Sequence, residues 1–374
     1  MNSIRLMRLG GLIRKEWLQV IRDPSSLAIA FVLPLVLLLI FGAGVSLDAK
    51  NINIALVQEQ PGAKSEAFVS TFFHTPYFKA KKMRNIQEAE EALQRAEVSA
   101  IVWLRSSFNR EYLTGDSPPI GVIVNGVDAN TARLVEGYLQ GIWFTWLTHE
   151  AELSGTKIEP PVDLQQRIWF NAEVRSTDYL VPGVVAVVMT LIGSLLTALV
   201  IAREWERGTM ETLLVTRISV FELLAGKLVP YFILGMGGFF ISLTMARFLF
   251  QVPVRGSLFI LIASSALFLL VALGMGLTIS TLCRSQFVAA LVALITTFLP
   301  AFLLSGFIFD IRSMPAVIHF ITGIVAARYY VAMLQTLFLA GNIWFILLTN
   351  ALYLIAMACF FLGITYYKTR KKLD

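Results

Sequence analysis

The stretch REWERGTMETLLVTRISVFELLAGK, residues 203–227, combines four basic and four acidic side chains with an apolar ridge. Opposite charges three residues apart face each other on a helix, which predicts an ion pair between Glu204 and Arg207. Gly208 and Thr209 are expected to break the helix and start it again. A solvated loop, the alternative, does not need the apolar side chains, whereas a surface that docks another protein uses both kinds. The chemistry predicted for this segment is protein recognition.

The residues expected to contact a partner protein supply the charges, form the turn or form the apolar ridge. They are Glu204, Glu206, Arg207, Gly208, Thr209, Glu211, Leu213 and Leu214. Further along the same segment, Ser219 and Glu222 have the spacing of a capping box, which predicts the start of a new helix. We therefore expect a short helix flanked by turns, followed by a longer helix.

Hydroxyl side chains recur on apolar runs of the chain. The candidates are Thr190, Ser194, Thr197, Thr296, Thr297 and Ser305. The first three are spaced i, i+4, i+7 and share one face of a helix. Small residues dominate the interfaces between membrane helices, so packing is the favoured interpretation of any single residue. Lining of a transport pathway is the second interpretation, and the sequence leaves it open.

A nucleotide site is not expected in this chain. Its one Gly-Lys pair, Gly226-Lys227, lacks both the upstream glycine and the following hydroxyl of a phosphate-binding loop. No metal or cofactor site is expected either. Proton-coupled transporters bury acidic groups or histidines in their spans. The predicted spans contain no Asp or Glu, which argues against an ion-coupled antiporter.

The elements that must position these residues are membrane helices. Of the 374 residues, 56% are hydrophobic and 15% charged, which is well below the roughly 25% charge of soluble domains. Apolar runs of about 20 residues are long enough to cross a bilayer, and six are predicted, at 27–46, 179–202, 228–250, 257–281, 287–309 and 343–367. The interrupted region 310–342 is expected to form a re-entrant pair of short helices. The fold class is therefore an α-helical integral membrane protein.

Basic residues indicate how the chain is oriented. Nearly half of the 31 lysines and arginines lie in the short segments 1–26, 203–227, 282–286 and 368–374. By the positive-inside rule both termini and segment 203–227 face the cytoplasm. The net charge of +6 is thus assigned to topology and not to nucleic-acid binding. The amphipathic segment 1–26 is predicted to lie in the inner interface, with Leu9, Ile13, Trp17, Val20 and Ile21 on its apolar face.

Residues 47–178 are predicted to form a separate α/β domain outside the cytoplasm, between the first two spans. Strands are predicted at 52–57, 77–84, 98–104 and 119–125, with helices at 62–74, 86–96, 106–114 and 128–150. The domain holds enough apolar residues to bury a core of its own. Residues 179–374 carry the remaining five spans.

Three motifs together make the chain resemble the permease subunits of bacterial type-two ABC exporters, in the group with a large extracytoplasmic domain. They are RKEWLQVIRDPSSLAIAFVLPL at 14–35, the segment 203–227, and LSGFIFDIRSMP at 304–315, followed by the basic tail. The family form of the second motif has Glu, Arg, Glu, a variable residue, Gly, Thr and a later acidic residue. This chain matches it at Glu204, Glu206, Gly208, Thr209 and Glu211, whereas Trp205 replaces the arginine and Arg217 replaces a frequent proline.

The resemblance implies an inner-membrane subunit for efflux or multidrug export, with 1–26 as the connecting helix and the coupling helix inside 203–227. It implies two separate cytoplasmic ATPase subunits that bind ATP and Mg, and a second copy or a related permease; a periplasmic adaptor is a further possible partner. The expected cargo is amphipathic, drug-like or lipid-like. Two alternatives remain: an ATP-driven signalling or mechanical complex that acts through the outer domain, and the ion-coupled antiporter.

Overall fold

The computed structural model describes residues 2–43, 51–114, 120–125, 129–153, 175–210, 218–283, 285–309 and 311–369, with side chains left out at a few helix ends. The chain divides into two compact units. One comprises Met1–Ser46 with Ile168–Asp374, and the other comprises Leu47–Arg167. The second unit therefore ends before the predicted boundary at residue 178.

Among its described residues, the helical unit has six helices that are long and apolar enough to cross a membrane, as the sequence predicts. They are α2 (Pro24–Ala43), α7 (Ser176–Glu206), α8 (Val220–Phe248), α9 (Leu258–Leu282), α10 (Gln286–Leu304) and α13 (Trp344–Lys368). Helix α1 (Asn2–Ile21) precedes them. Most of the helices extend beyond the predicted spans, so that α7 and α8 include Asp178, Glu204, Glu206 and Glu222. These four acidic residues lie where α7 and α8 extend beyond the predicted spans 179–202 and 228–250, which themselves contain no Asp or Glu.

Local sequence explains where these helices begin. Asp23 caps α2 by accepting a hydrogen bond from the Ser25 backbone N–H, and Pro24 fits the first turn because its missing N–H is not needed there. The predicted capping box is present at α8. The Ser219 hydroxyl accepts from the Glu222 N–H at 3.2 Å, and the Glu222 carboxylate accepts from the Ser219 N–H at 2.7 Å.

The region predicted as 310–342 forms two helices after a short 3₁₀ turn at Ile311–Ser313. Helices α11 (Ala316–Thr322) and α12 (Ala326–Ala340) are bent by 82° at the break between them. Three helices of this unit also contain a π-helical turn, at Ala28–Val32 in α2, Leu294–Phe298 in α10 and Thr336–Ala340 in α12.

Small residues let the long helices approach closely. A Cβ at Gly238 would lie 2.5 Å from the Ala30 carbonyl oxygen, and one at Gly193 would lie 2.5 Å from the Ala272 Cβ. Helix α7 runs through the centre of the unit and is buried along nearly its whole length. It can therefore position side chains towards several neighbours at once.

The second unit is an α/β module, as predicted, with a four-stranded sheet in the order β2-β1-β3-β4. Its strands are β1 (Ile52–Gln58), β2 (Phe78–Met83), β3 (Ala100–Leu104) and β4 (Ile120–Val124). Strand β1 is parallel to both neighbours, and β4 is antiparallel to β3. The helices are α3 (Ala63–Thr71), α4 (Ile86–Gln94), α5 (Phe108–Thr114) and α6 (Ala129–Leu153). Separate cores around Phe68 and Ala89 cover its two faces.

Candidate functional site

A buried cluster of charges joins three helices of the membrane unit. Lys227 of α8 places its Nζ atom 2.8 Å from Glu16 Oε1 of α1 and 3.1 Å from Glu204 Oε1 of α7. Lys15 Nζ lies 2.9 Å from the same Glu204 oxygen. The side chains of Lys227 and Glu16 are each only 2% exposed. Breaking such a pair leaves a buried charge without compensation, so the three helix ends are held together.

The sequence places Glu16 on the buried face of α1. Leu12, Glu16 and Val20 are spaced four residues apart, and all three are buried. A Cβ on Gly226 would lie 2.9 Å from the Leu12 Cβ, so this glycine allows α1 to approach α8 where Lys227 follows. The predicted apolar face of α1 was only partly correct, because Ile21 is exposed.

The turn after α7 folds around the same cluster. Gly208 has φ +67°, a left-handed conformation that glycine adopts without steric cost, and it ends the helix where the sequence predicted. The Thr209 hydroxyl then donates to the Glu204 carboxylate. Glu204 thus contacts Lys15, Lys227 and Thr209, and the predicted ion pair with Arg207 is not formed. The buried Lys227 and the half-exposed Lys15 take this carboxylate in place of the exposed Arg207.

Neighbouring residues tie α7 to two further helices. The Glu206 carboxylate accepts from the Gln286 backbone N–H at 2.7 Å, at the first residue of α10. Arg203 Nη2 lies 2.9 Å from Asp23 Oδ2 at the start of α2. One short stretch of α7 therefore contacts the ends of α1, α2, α8 and α10.

Two groups outside the spans have shifted pKa values. Burial alone would raise the pKa of Asp23, but hydrogen bonds from Ser25 and Ser26 and the charge of Arg203 lower it to about 2. Burial alone would lower the pKa of Lys15, but the hydrogen bond to Glu204 and the charges of Glu16 and Glu204 outweigh it and raise the pKa. Both groups are therefore charged at neutral pH.

Of the predicted docking residues, Glu204 is buried, while Glu206, Arg207, Gly208 and Thr209 form an exposed surface. Glu211, Leu213 and Leu214 lie outside the described residues. Sequence reasoning missed Lys15, Glu16 and Lys227. The one available signal was Glu16, because an acidic residue four positions from both Leu12 and Val20 marks a charge on a buried helix face.

The hydroxyl candidates separate into two groups. Thr190, Thr296 and Thr297 line one cavity of about 360 Å³ between α7, α9, α10 and the α11–α12 bend. Ser194 accepts a hydrogen bond from Thr297 at 2.7 Å, and Thr197 donates to the Leu273 carbonyl of α9 at 3.0 Å. Ser194 and Thr197 therefore join helices, as does Thr297, which lines the cavity as well.

The cavity has few groups that can donate a hydrogen bond. Thr190 donates to the Ala186 carbonyl at 2.8 Å, and Thr296 donates to the Val292 carbonyl at 2.7 Å. Thr278 of α9 donates to the Gly274 carbonyl at 2.8 Å. The rest of the wall is mostly apolar, with Phe268, Met275, Leu304, Ile324 and Phe361 among its residues. Recognition here rests mainly on shape and apolar burial.

Ser305 lies elsewhere. It lines a second, more polar cavity of about 610 Å³, which the described part of the chain forms from Tyr179, Ser305, Gly306, Ile311, Arg312, His319, Arg328, Val331, Ala332, Gln335 and Asn350. Tyr179 lies near the start of α7, whereas Glu204 lies near its end. This cavity is therefore at the opposite end of α7 from the charged cluster.

Comparison with known proteins gives a full-length likeness. A family model described as "ABC-2 family transporter protein" matches residues 24–367. The chain is 47% identical over 368 residues to the probable multidrug ABC transporter permease YbhS of Escherichia coli K12, covering 98% of each chain. It is 28% identical to the probable multidrug ABC transporter permease YbhR of E. coli K12, over 89% of this chain and 90% of that one. It is 26% identical to the inner membrane transport permease YhhJ of E. coli K12, over 86% of this chain and 85% of that one.

Proposed function

Because the chain belongs to the ABC-2 family of transporter proteins, we propose that it is the permease subunit of an ATP-binding-cassette exporter. Its proposed cargo is amphipathic, drug-like or lipid-like compounds, which it moves out of the cytoplasm or the inner leaflet. Energy comes from separate ATPase subunits that bind ATP and Mg. The observation that carries the proposal is the buried cluster of Glu16, Glu204 and Lys227, which lies directly beside the exposed charged turn of segment 203–227.

The turn acts as the docking site for an ATPase subunit. Glu206, Arg207 and Thr209 are exposed, and Phe221, at the start of the next helix, is 68% exposed. Charged and aromatic side chains together are typical of protein interfaces. Glu211, Leu213 and Leu214 belong to the same proposed site on the strength of the sequence motif.

The charged cluster transmits the motion of that subunit. A displacement of the turn pulls on Glu204, whose carboxylate cannot leave Lys227 without exposing a buried charge to an apolar surrounding. Helices α7 and α8 and the connecting helix α1 therefore move together. The cavity lined by Thr190, Thr296 and Thr297 lies along α7 and changes shape with it.

The apolar cavity is the proposed cargo chamber. It lies beside the break between α11 and α12, and Ile324 and Val325 of that break contribute to its wall. We assign these two helices as a re-entrant pair, and their residues line both the chamber and the second cavity. A chamber with a mostly apolar wall suits cargo with a large apolar part.

The assembly holds two permease chains, identical or related, and two ATPase subunits. The basic segments support an inner bacterial membrane orientation with both termini in the cytoplasm. The α/β unit then lies on the periplasmic side, where it can contact an adaptor protein. Exposed apolar side chains on α2, α10 and α13 face lipid or the second permease.

The experiment that tests this function is purification from the native host in mild detergent. The co-purifying chains are identified, ATP hydrolysis is assayed, and export is measured in vesicles with and without an inactivated ATPase subunit. A stoichiometric subunit with a phosphate-binding loop and export that depends on it support the exporter. Ion-gradient-driven transport by a purified, ATPase-free oligomer would contradict it. Binding of a periplasmic protein without any export would favour the signalling or mechanical complex.

A further inference from the structure

The second cavity, at the end of α7 opposite the charged cluster, has a basic lining. Of the described residues that form it, Arg312, His319 and Arg328 are basic and none is acidic. Arg328 is held in place by donating to the Thr322 hydroxyl at 2.6 Å. Five N–H groups are available on each guanidinium, so the remaining donors of Arg328 stay available after this bond. We name this site the basic cavity.

Two buried polar atoms add to the donors of the basic cavity. Ser305 Oγ and Gln335 Nε2 are buried and have no hydrogen-bond partner among the described residues. The Ser305 side chain belongs to a residue that is only 1% exposed. Burying a polar group without a partner is costly, so a ligand that accepts their hydrogen bonds would be stabilised there.

Hydrogen bonds and a tight turn hold the segments that line the basic cavity. Tyr179 donates its hydroxyl to the Gly306 carbonyl at 2.7 Å, which ties the start of α7 to the segment after α10. Gly306 has φ +84°, so the chain turns sharply directly after Ser305. Asn350 uses its amide to bond the Ile346 carbonyl at 2.8 Å. The cavity wall is therefore formed in advance of any ligand.

The two cavities meet at adjacent residues of the same segments. Leu304 lines the apolar cavity and Ser305 the basic cavity, and in the same way Ala327 lines the first and Arg328 the second. From this arrangement we infer that the basic cavity binds the anionic headgroup of an amphiphile whose apolar part suits the neighbouring chamber. The ligand class is an amphiphile with a phosphate or carboxylate head. The inference rests on the proposed function, since it names the cargo class of that exporter.

Guanidinium groups recognise phosphate and carboxylate headgroups better than amines do. The Arg328 guanidinium can offer parallel N–H groups to one phosphate or carboxylate, which adds directional hydrogen bonds to the charge attraction. Ser305 and Gln335 also line this cavity. A zwitterionic or neutral head would gain much less from the same groups.

The test is an equilibrium titration of the purified permease–ATPase complex in phosphatidylcholine nanodiscs, without ATP. The probes are dihexanoyl phosphatidic acid and dihexanoyl phosphatidylcholine, which have the same tails, and inorganic phosphate alone. Empty nanodiscs correct for partitioning. We expect the phosphatidic acid to bind more tightly than either other probe. Equal affinities for the two lipids would overturn the inference. If inorganic phosphate binds as tightly as phosphatidic acid, the ligand is a free anion and not an amphiphile.

The variants are Arg328→Gln, Arg328→Lys and Ser305→Ala, with Arg247→Gln as the matched control. Arg247 lies in the last turn of α8 and does not line the basic cavity. Loss of a charge-assisted hydrogen bond predicts about tenfold weaker binding of phosphatidic acid to Arg328→Gln, partial recovery in Arg328→Lys, and no change in the control. Unchanged affinity in Arg328→Gln, or the same loss for phosphatidylcholine, would contradict the assignment.

The outcome of this binding experiment can be distinguished from a failure of the proposed exporter function. Binding is measured without ATP, so it does not depend on coupling to the ATPase subunits. If export requires the ATPase subunit but the two lipids bind alike, the exporter stands and the cargo class is wrong. If phosphatidic acid binds selectively but no ATP-driven export is found, the basic cavity stands and the exporter is wrong.

Discussion

Lys227 Nζ lies 2.8 Å from Glu16 Oε1, although 211 positions separate the two residues along the chain. Both side chains are almost fully buried, and Glu204 binds the same ammonium group at 3.1 Å. The pair therefore fixes the N-terminal helix against α7 and α8 at the point where segment 203–227 begins.

Lys227→Met is expected to destabilise the protein by about 3–5 kcal/mol, because it leaves Glu16 and Glu204 buried beside an apolar group. Glu16→Gln combined with Lys227→Met should recover part of the loss, since one of the stranded charges is then removed. Thermal unfolding in detergent measures both. Lys82→Met is the matched control, because its exposed pair with Glu66 contributes at most about 1 kcal/mol. Equal losses for Lys227→Met and Lys82→Met would disprove the role of the cluster.

Glu206→Ala and Leu214→Asp are each expected to uncouple ATP hydrolysis from export while the protein remains in the membrane. Glu206 is exposed and bonds the first residue of α10, so its loss releases α10 from α7. We expect about fivefold or more export lost per ATP hydrolysed, the range of ordinary coupling energies. Vesicle export and ATPase assays measure this ratio. Glu90→Ala, in the α/β unit, serves as control. Unchanged coupling in both variants would refute the docking surface.

Thr296→Trp is expected to fill part of the apolar cavity and to lower export sharply without unfolding the protein. Thr296 lines that cavity and is exposed on its helix, so the larger ring meets no tightly packed neighbour. Ile295→Trp changes the adjacent residue, which is 59% exposed and does not line the cavity. Transport assays should distinguish the two, and thermal stability of both should stay within about 0.5 kcal/mol of the parent. The same loss of export in both would argue against a cargo chamber.

Asp23 is expected to stabilise the protein in a pH-dependent way. Its pKa in the folded chain is about 2, below the ordinary value of 3.8, so its contribution is fully present above about pH 4 and is lost as the pH falls towards 2. At neutral pH, Asp23→Asn should cost about 1 kcal/mol, because solvent screens much of the interaction of this partly exposed group with Arg203. Unfolding of the parent and the variant between pH 2 and 7 measures this difference. A difference that stays constant over that range would contradict the assignment.

Sequence patterns predicted the helices and their caps better than the contacts between residues that are distant in the chain. Apolar runs and the Ser219–Glu222 spacing act over a few residues, and both the six long helices and the capping box were found. The pairing of Lys227 with Glu16 joins distant segments, so no local pattern contains it. Glu204 was selected as a charged residue of a docking motif, but its nearest partner in sequence was the wrong one. Ser305 was grouped with Thr297 because both lie on one apolar run, whereas Ser305 lines another cavity at the end of α10.

The π-helical turn at Leu294–Phe298 has one more consequence. A π turn holds about one residue more than an α turn, so the helix on one side is rotated by roughly 100° against the other side. Thr296 and Thr297 lie inside this turn, and Leu304 lies beyond it. The chamber wall formed by α10 therefore depends on a local change of register. Deleting a single residue here would convert the turn to α-helix, and the side chains that now line the cavity would be exchanged for those that face away.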